Sequence, residues 1–181
     1  MKGLFFHDKK CDVDDFNYYI PRQAIGDTER ILSDFSSKRY PCEEIVYWAG
    51  VREGNRSMVR LVVAPDAKTD SGRAIVSQDA NFYFIKALSA RKFVQIAQVH
   101  THPSSWVGHS LGDSKYAAFK VKCLLSIVVP VYCKKGMLPL EKRCGVHRFD
   151  GDRFVRLSKK YVGTHFHILD NEESAIEDLR E

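Results

Sequence analysis

The sequence predicts one domain of the α/β or α+β class, in which a β-sheet lies between layers of helices. The chain has 181 residues, the length of a single domain of ordinary size. Hydrophobic residues make up 44% of it and aromatic residues 12%, which is enough to fill a core. Helical and strand-like spacings of apolar residues alternate around a nearly continuous apolar run at 124–131, which is typical of a buried central strand.

Apolar spacing, strand-forming residues and turn signals divide the chain into elements. Pro41 ends the first helical pattern, and Gly54-Asn55 marks a turn between two strands. In order, the predicted elements are a helix at 22–38, a hairpin of strands at 43–50 and 58–64, a loop at 66–77, a helix at 78–91, a strand at 93–102, a loop at 103–109, a helix at 110–122, a buried strand at 124–131, and short strands at 146–149 and 153–157.

Charge is distributed unevenly over the chain. The net charge is +5, but residues 133–160 carry nine Lys and Arg against three acids, and residues 170–181 carry six acids and one Arg. We interpret the basic stretch as a solvated or protein-binding surface, and we do not expect nucleic acid as the partner. The acidic end reads as a terminal helix or frayed tail, so we expect a domain at 1–163 and a tail at 164–181.

Five widely spaced cysteines contain no Cys-x-x-Cys pair. This spacing predicts neither a disulfide scaffold nor a zinc site made of cysteines. No apolar run approaches the roughly 20 residues that cross a bilayer, and the start of the sequence lacks the core of a signal peptide. We therefore expect a cytoplasmic protein with reduced thiols and no membrane partner.

The segment that indicates chemistry is His100-Thr101-His102-Pro103, followed by Ser110 and Asp113. Histidines at i and i+2 at the end of a strand point to the same face, so both imidazoles can reach one metal ion. Asp113 lies in the first turn of the next helix, from which its carboxylate can reach the same point. Two His nitrogens and one Asp oxygen are a ligand set that catalytic zinc uses, with the fourth position left for water.

Each of these residues also has an ordinary structural interpretation. A single histidine near a strand end is more often hydrogen-bonded within the core than bound to a metal. Ser110-x-x-Asp113 matches a capping box, in which Ser110 caps the helix and Asp113 reaches back to it. The capping interpretation is compatible with the metal site, because a cap would fix the direction of the carboxylate.

The same residues resemble the signature of JAMM (MPN+) metalloproteases, zinc isopeptidases that cleave ubiquitin or ubiquitin-like proteins from lysines or from peptide extensions. The resemblance extends over about residues 21–160 and implies a mixed sheet between helices, the MPN or cytidine-deaminase-like three-layer architecture. It implies that His100, His102 and Asp113 bind Zn²⁺. It further implies that Ser110 stabilises the oxyanion.

The family adds a glutamate on an earlier strand, seven residues before a glycine. Here Gly50 places that glutamate at Glu43, which would act first as general base and then as general acid. Glu44 points to the opposite face of a regular strand, so only one of the two can serve. Glu53, in the turn, is a third candidate. An exposed strand start is the ordinary alternative for Glu43 and Glu44.

Two residues of the loop before Ser110, Trp106 and His109, have no assigned role, and His109 is either a spare ligand or without function.

The short chain is similar to the compact prokaryotic members, which accompany ubiquitin-like conjugation systems, including antiviral ones. The expected partners are a ubiquitin-like modifier or its conjugate, with activating and conjugating enzymes of the same pathway.

The alternatives to an isopeptidase are a non-catalytic scaffold of the same fold and a family branch linked to DNA repair. A zinc deaminase does not fit, because Ile45 replaces its second motif cysteine.

Overall fold

A mixed β-sheet forms the centre of the molecule. The computed structural model describes residues 15–34, 41–117 and 119–180, and within these residues nine strands join one sheet and two more form a separate hairpin. The helices and strands in chain order are β1 (Asn17–Pro21), α1 (Arg22–Asp34), β2 (Ile45–Glu53), β3 (Arg56–Ala64), β4 (Ala67–Asp70), β5 (Arg73–Val76), α2 (Gln78–Arg91), β6 (Val94–Thr101), α3 (Leu111–Tyr116), β7 (Leu125–Val129), α4 (Leu140–Arg143), β8 (Gly145–Phe149), β9 (Phe154–Arg156), α5 (Lys159–His165), β10 (Phe166–Leu169) and β11 (Ala175–Asp178).

Helices cover both faces of the sheet. The strand order is β10-β1-β3-β2-β6-β7-β8-β9, and β11 pairs with β3. Along β2, Val46 and Trp48 pack in the same cluster as the buried side chains of α1, whereas Tyr47 packs with Phe84 of α2 on the other face. This alternation is the period of a strand that is buried on both sides. The predicted α/β class and its three layers are therefore confirmed.

The central elements lie where the sequence predicts them. Strands β2 and β3 form the expected antiparallel hairpin, and β7 is buried along its whole length between parallel β6 and antiparallel β8. Gly50 lies where the register of β2 and β3 shifts, and a Cβ there would be 2.0 Å from the carbonyl oxygen of Met58. Only glycine allows the two backbones to approach so closely.

Three predicted elements need correction. Residues 66–77 are not a simple loop, because β4 and β5 pair with each other in an antiparallel hairpin. Helix α3 ends at Tyr116 rather than at 122. The acidic end is neither a helix nor a frayed tail, because β11 pairs in parallel with β3. A free sheet edge supplies the hydrogen bonds that a short charged segment cannot make alone. Residues 35–38 of the predicted first helix lie outside the described residues.

The cysteines only partly follow the expectation of reduced thiols. Cys133 and Cys144 are buried thiols, but Cys123 is disulfide-bonded, so the expectation is wrong for Cys123. Sequence spacing does not reveal such a bond, because a disulfide depends on which Cβ atoms approach in space. Among the described residues, no helix has the length and apolarity needed to cross a membrane.

Candidate metal centre

Strand β6 delivers two histidines to one face of the sheet. His100 pairs with Ile45 of β2 across the antiparallel register, and His102 follows two residues later, where the strand has just ended. Continuing that register by two residues sets Glu43 opposite His102. Both histidines are buried, so the predicted projection of the i and i+2 side chains to one face is confirmed.

Helix α3 brings Asp113 to the same place through a capping box. The Ser110 hydroxyl accepts a hydrogen bond of 3.0 Å from the Asp113 N–H, and the Ser110 N–H donates one of 2.6 Å to Asp113 Oδ2. These reciprocal bonds satisfy two free N–H groups of a helix only six residues long. The capping interpretation of Ser110 and Asp113 is therefore confirmed, and it fixes the direction of the carboxylate.

One ligand atom from each of His100, His102 and Asp113 lies within 4.8 Å of the other two. The Nε2 atoms of both histidines are 3.4 Å from Asp113 Oδ2. His100 Nε2 is buried and makes no hydrogen bond. A buried polar atom in that condition costs free energy unless a further partner reaches it. The three residues fit a divalent cation of the kind that His and Asp bind, such as zinc.

The Nδ1 nitrogen of His102, which faces away from Asp113, is also fixed by a hydrogen bond. Nδ1 lies 3.1 Å from the carbonyl oxygen of Trp106, an oxygen that can only accept, so Nδ1 carries a proton and Nε2 is the nitrogen that faces Asp113 and is available to a cation. The Trp106 indole stacks on the imidazole with ring centroids 5.2 Å apart. Metal-binding histidines commonly donate their other nitrogen in this way, which fixes the tautomer and the ring orientation. Trp106, which had no role in the sequence, thus supports a candidate ligand.

Burial and hydrogen bonds act in opposite directions on the pKa values of the ligands. Burial alone would raise the pKa of Asp113, but the neighbouring imidazoles of His100 and His102 and the hydrogen bond from the Ser110 N–H hold it below its usual range. Burial alone would lower the pKa of His102, but the Asp113 carboxylate raises it. The carboxylate is therefore ionised at neutral pH, as a cation ligand has to be.

Glu43 lies beside these three residues. Its side chain is buried, and burial raises its pKa to about 7, while His102 opposes that rise. Such a pKa suits a group that takes and returns protons at neutral pH. The exposed strand start expected as the ordinary alternative is wrong for both glutamates, because Glu43 and Glu44 are both buried. Glu53 is exposed at the end of β2.

Glu44 lies on the opposite side of the sheet from Glu43. Its carboxylate is 3.9 Å from the Arg180 guanidinium, at the same side as Asp34 at the end of α1. Glu43 lines the cavity between β2, β6 and α3 instead. The geometry therefore favours Glu43 over Glu44 as the group facing the candidate metal centre.

The cavity at this centre has a volume of about 170 Å³. Its polar lining residues are Glu43, Arg73, Gln98, His100, Ser110 and Asp113. Most of the other lining residues are small, and they are Ile45, Gly72, Ala74, Gly112 and Ala117. The hairpin of β4 and β5 forms one wall, and it is tied to the centre because the Glu43 N–H donates to the Asp70 carbonyl over 2.8 Å.

His109 is not part of the metal group. Its Nδ1 lies 3.1 Å from the Ser114 hydroxyl on α3, and its Nε2 lies 3.1 Å from the Ser126 hydroxyl on β7. Burial lowers the pKa of His109 to about 4, so the ring is neutral at physiological pH. The side chain links α3 to the sheet. Sequence reasoning missed this role, because neither serine is near His109 in a recognisable motif.

Comparisons with known proteins add information on the fold. The protein DSY2949 of Desulfitobacterium hafniense, solved in solution, is similar with a TM-score of 0.61 at 13% identity, over 85% of this chain and 94% of that one. AF2198, a JAB1/MPN domain protein of Archaeoglobus fulgidus, reaches a TM-score of 0.39 at 15% identity, over 78% and 94% of the two chains. The second superposition is too poor to support an argument. No model of a protein family matches the sequence, and no curated protein is significantly similar to it.

Proposed function

We propose that this protein is a zinc-dependent isopeptidase of the JAMM type that removes or matures a ubiquitin-like modifier. The observation that carries the proposal is the convergence of His100, His102 and Asp113 within 4.8 Å. The motif spacing in the sequence and the position of Glu43 in the same cavity support it further. A set of two histidines and one aspartate leaves one position of a tetrahedral zinc site open for water.

In this proposal Glu43 carries the proton through the reaction. Bound zinc would polarise the scissile carbonyl and lower the pKa of a water molecule. Glu43 accepts a proton from the attacking water as the new C–O bond forms. It then donates that proton to the departing amine as the C–N bond breaks, leaving a carboxylic acid and a free lysine or peptide amine. The pKa of about 7 that burial gives Glu43 suits both steps.

Ser110 is proposed to stabilise the oxyanion. Its hydroxyl oxygen accepts the Asp113 N–H, which leaves the hydroxyl hydrogen free to donate. Because the cap already fixes the hydroxyl, it loses little conformational freedom when it donates to the oxygen on which negative charge develops. A donor that is fixed in advance in this way stabilises an oxyanion effectively. The cap and the proposed catalytic role are therefore compatible in one side chain.

The small side chains at the cavity support the proposed substrate class. Gly72, Ala74, Gly112 and Ala117 leave a narrow space of about 170 Å³. A tail of small residues in an extended conformation can enter such a space, and ubiquitin-like modifiers usually end in tails of this kind. We propose that the protein acts in the cytoplasm, in a bacterial antiviral conjugation pathway with activating and conjugating enzymes. Genes for such proteins beside this one would support that setting.

The proposal is tested with purified, zinc-loaded protein and fusions of candidate ubiquitin-like modifiers to a reporter. We expect Glu43→Gln to lower turnover by about 10²–10⁴-fold while keeping zinc, because only proton transfer is lost. We expect His100→Ala to lose both turnover and zinc. Glu53→Gln, which changes an exposed glutamate at the far end of β2, is the matched control and should behave as wild type.

Two results would contradict the proposal. If the wild type cleaves no candidate fusion and Glu43→Gln is indistinguishable from it, the isopeptidase assignment fails. If metal analysis finds close to no zinc in the wild type, the non-catalytic scaffold becomes the better assignment.

A further inference from the structure

We propose that Arg180 is a positioning residue for Glu43, acting through Glu44 from the opposite face of the sheet. The inference rests on the proposed function of Glu43 and assigns a role to the acidic C-terminal segment. Arg180 does not reach the metal centre. It contacts Glu44, which is adjacent in sequence to the proposed base and is buried at the opposite face of the sheet.

The C-terminal segment arrives at the start of β2 along the edge of β3. β11 pairs with β3 from Ala175 opposite Leu61 to Asp178 opposite Ala64, and the Leu179 N–H donates to the Ala64 carbonyl over 2.8 Å. Because β2 runs antiparallel to β3, the end of β3 lies beside the beginning of β2. Arg180, the residue after Leu179, therefore lies next to Glu44.

The Arg180 guanidinium joins three carboxylates at this point. It donates to Asp178 at 2.6 and 2.8 Å, and it lies 3.6 Å from Asp34 and 3.9 Å from Glu44. Glu44 is only 1% exposed, whereas Asp34 and Asp178 remain partly in water. A buried carboxylate needs a cation or several donors, because removing one partner leaves an uncompensated charge. Glu44 Oε1 accepts the N–H of Ile45 over 3.0 Å, and Arg180 is a cation that the structure places beside Oε2.

The backbone of Glu44 transmits this constraint to the metal centre. Its N–H donates to the Thr101 hydroxyl over 2.9 Å, and its carbonyl accepts the Thr101 N–H over 3.0 Å. Thr101 lies between the candidate ligands His100 and His102. Fixing Glu44 therefore fixes the peptide from which Glu43 projects, in register with both histidines. A displacement of about 1 Å at a reacting group is enough to cost about a hundredfold in rate.

A purely structural role for β11 is the competing explanation, and the chain offers a matched control for it. Arg91 of α2 forms an ion pair with Glu177, one residue before Asp178 on the same strand. Arg91→Gln removes an arginine–carboxylate pair that anchors β11, yet it does not touch Glu44. If attachment of β11 alone were important, Arg91→Gln and Arg180→Gln would have the same effects.

The experiment compares Arg180→Gln, Arg180→Lys, Arg91→Gln and the double variant Arg180→Gln/Glu44→Gln in the full chain loaded with zinc. We expect Arg180→Gln to lower kcat at least tenfold, with zinc content and KM unchanged. Lysine should restore part of kcat by supplying a cation. The double variant should also recover part of it, because a neutral amide at position 44 needs no counter-charge.

Hydrogen exchange gives a second measurement that does not depend on activity. We expect the amides of residues 43–46 to exchange at least tenfold faster in Arg180→Gln, but not in Arg91→Gln. The inference is overturned if exchange at 43–46 is unchanged, or if both arginine variants lower kcat equally. If the wild type cleaves no fusion, the proposed function fails, and the exchange at 43–46 alone decides whether Arg180 holds Glu44.

Discussion

Glu43 shows how position changes the chemistry of a single residue. The side chain is 6% exposed, and burial raises its pKa from 4.5 to about 7 in the metal-free protein. The Glu43 carboxyl loses its proton near pH 4.5 in the unfolded chain and near pH 7 in the folded protein. Between these values the folded state binds the proton more tightly, so protonation stabilises it. This contribution is fully present below about pH 4.5 and is lost as the pH rises through about 7.

We therefore predict that Glu43→Gln flattens the pH dependence of the unfolding free energy between pH 5 and 8. The difference between the two ends of that range should be on the order of 3 kcal/mol, at 1.36 kcal/mol for each unit of pKa. Urea unfolding of chelator-treated wild type and variant measures it. Parallel curves for the two proteins would show that Glu43 ionises normally in the folded state.

Trp106 provides a second prediction at the scale of a residue. Its indole is 54% exposed and stacks on His102, whereas Trp48, the other tryptophan, is fully buried beside Thr28. A cation bound to His102 places positive charge next to the stacked indole and changes its emission. We predict that zinc changes the fluorescence of the wild type and that a chelator reverses the change.

Trp106→Phe should abolish this response while zinc still binds, as measured by competition with a coloured chelator. His102→Ala should abolish both the response and the binding. A wild-type emission that stays constant while zinc binds would contradict the contact between Trp106 and His102.

At the scale of the element, α3 depends on its contacts because it is so short. An isolated helix of six residues is not stable in water, and α3 is held by its capping box and by the link through His109. Ser110 and Asp113 allowed the sequence to predict the start of the helix. Its end at Tyr116, six residues early, was not predictable from apolar spacing alone.

We predict that His109→Ala weakens zinc binding by about tenfold, because it releases Ser114 on α3 from Ser126 on β7. Helix α3, which carries Asp113, would then lose its hydrogen-bonded link to β7. Competition with a chelator of known affinity gives the measurement. His165→Ala, in which a histidine bonded to the Tyr161 carbonyl of α5 is removed, is the control and should leave zinc affinity unchanged. Equal loss in both variants would point to general destabilisation instead.

The hairpin of β4 and β5 shows why short elements escape sequence analysis. Its strands have four residues each, pair only with each other and are partly exposed, so neither a buried run nor a clean alternation marks them. The Asp70-Ser71-Gly72 turn signal was visible, but without flanking strands it indicated only a loop. The contact from Glu43 to Asp70 nevertheless makes this hairpin a wall of the cavity.

In the whole molecule, one face of the sheet supports helix packing and the other carries the candidate metal centre. One face packs against α1, and at the other the strands β6, β7 and β8 present Gln98, Ser126 and His147 beside the candidate metal centre. Arg180 of the C-terminal segment contacts Glu44 at the face of the sheet opposite the candidate metal centre. The acidic segment, which the sequence predicted to be a terminal helix or a frayed tail, is in our proposal part of the support of the site.

The class of the fold, the central hairpin and the three candidate ligands could be predicted from the sequence. These depend on local periods and short spacings, namely alternate side chains on a strand and a capping box one turn into a helix. Contacts in the folded molecule were needed to choose between Glu43 and Glu44, to assign His109 to α3, and to place β11 in the sheet. Each of these depends on partners that lie far away in the chain, so no local pattern specifies them, and only packing brings them together.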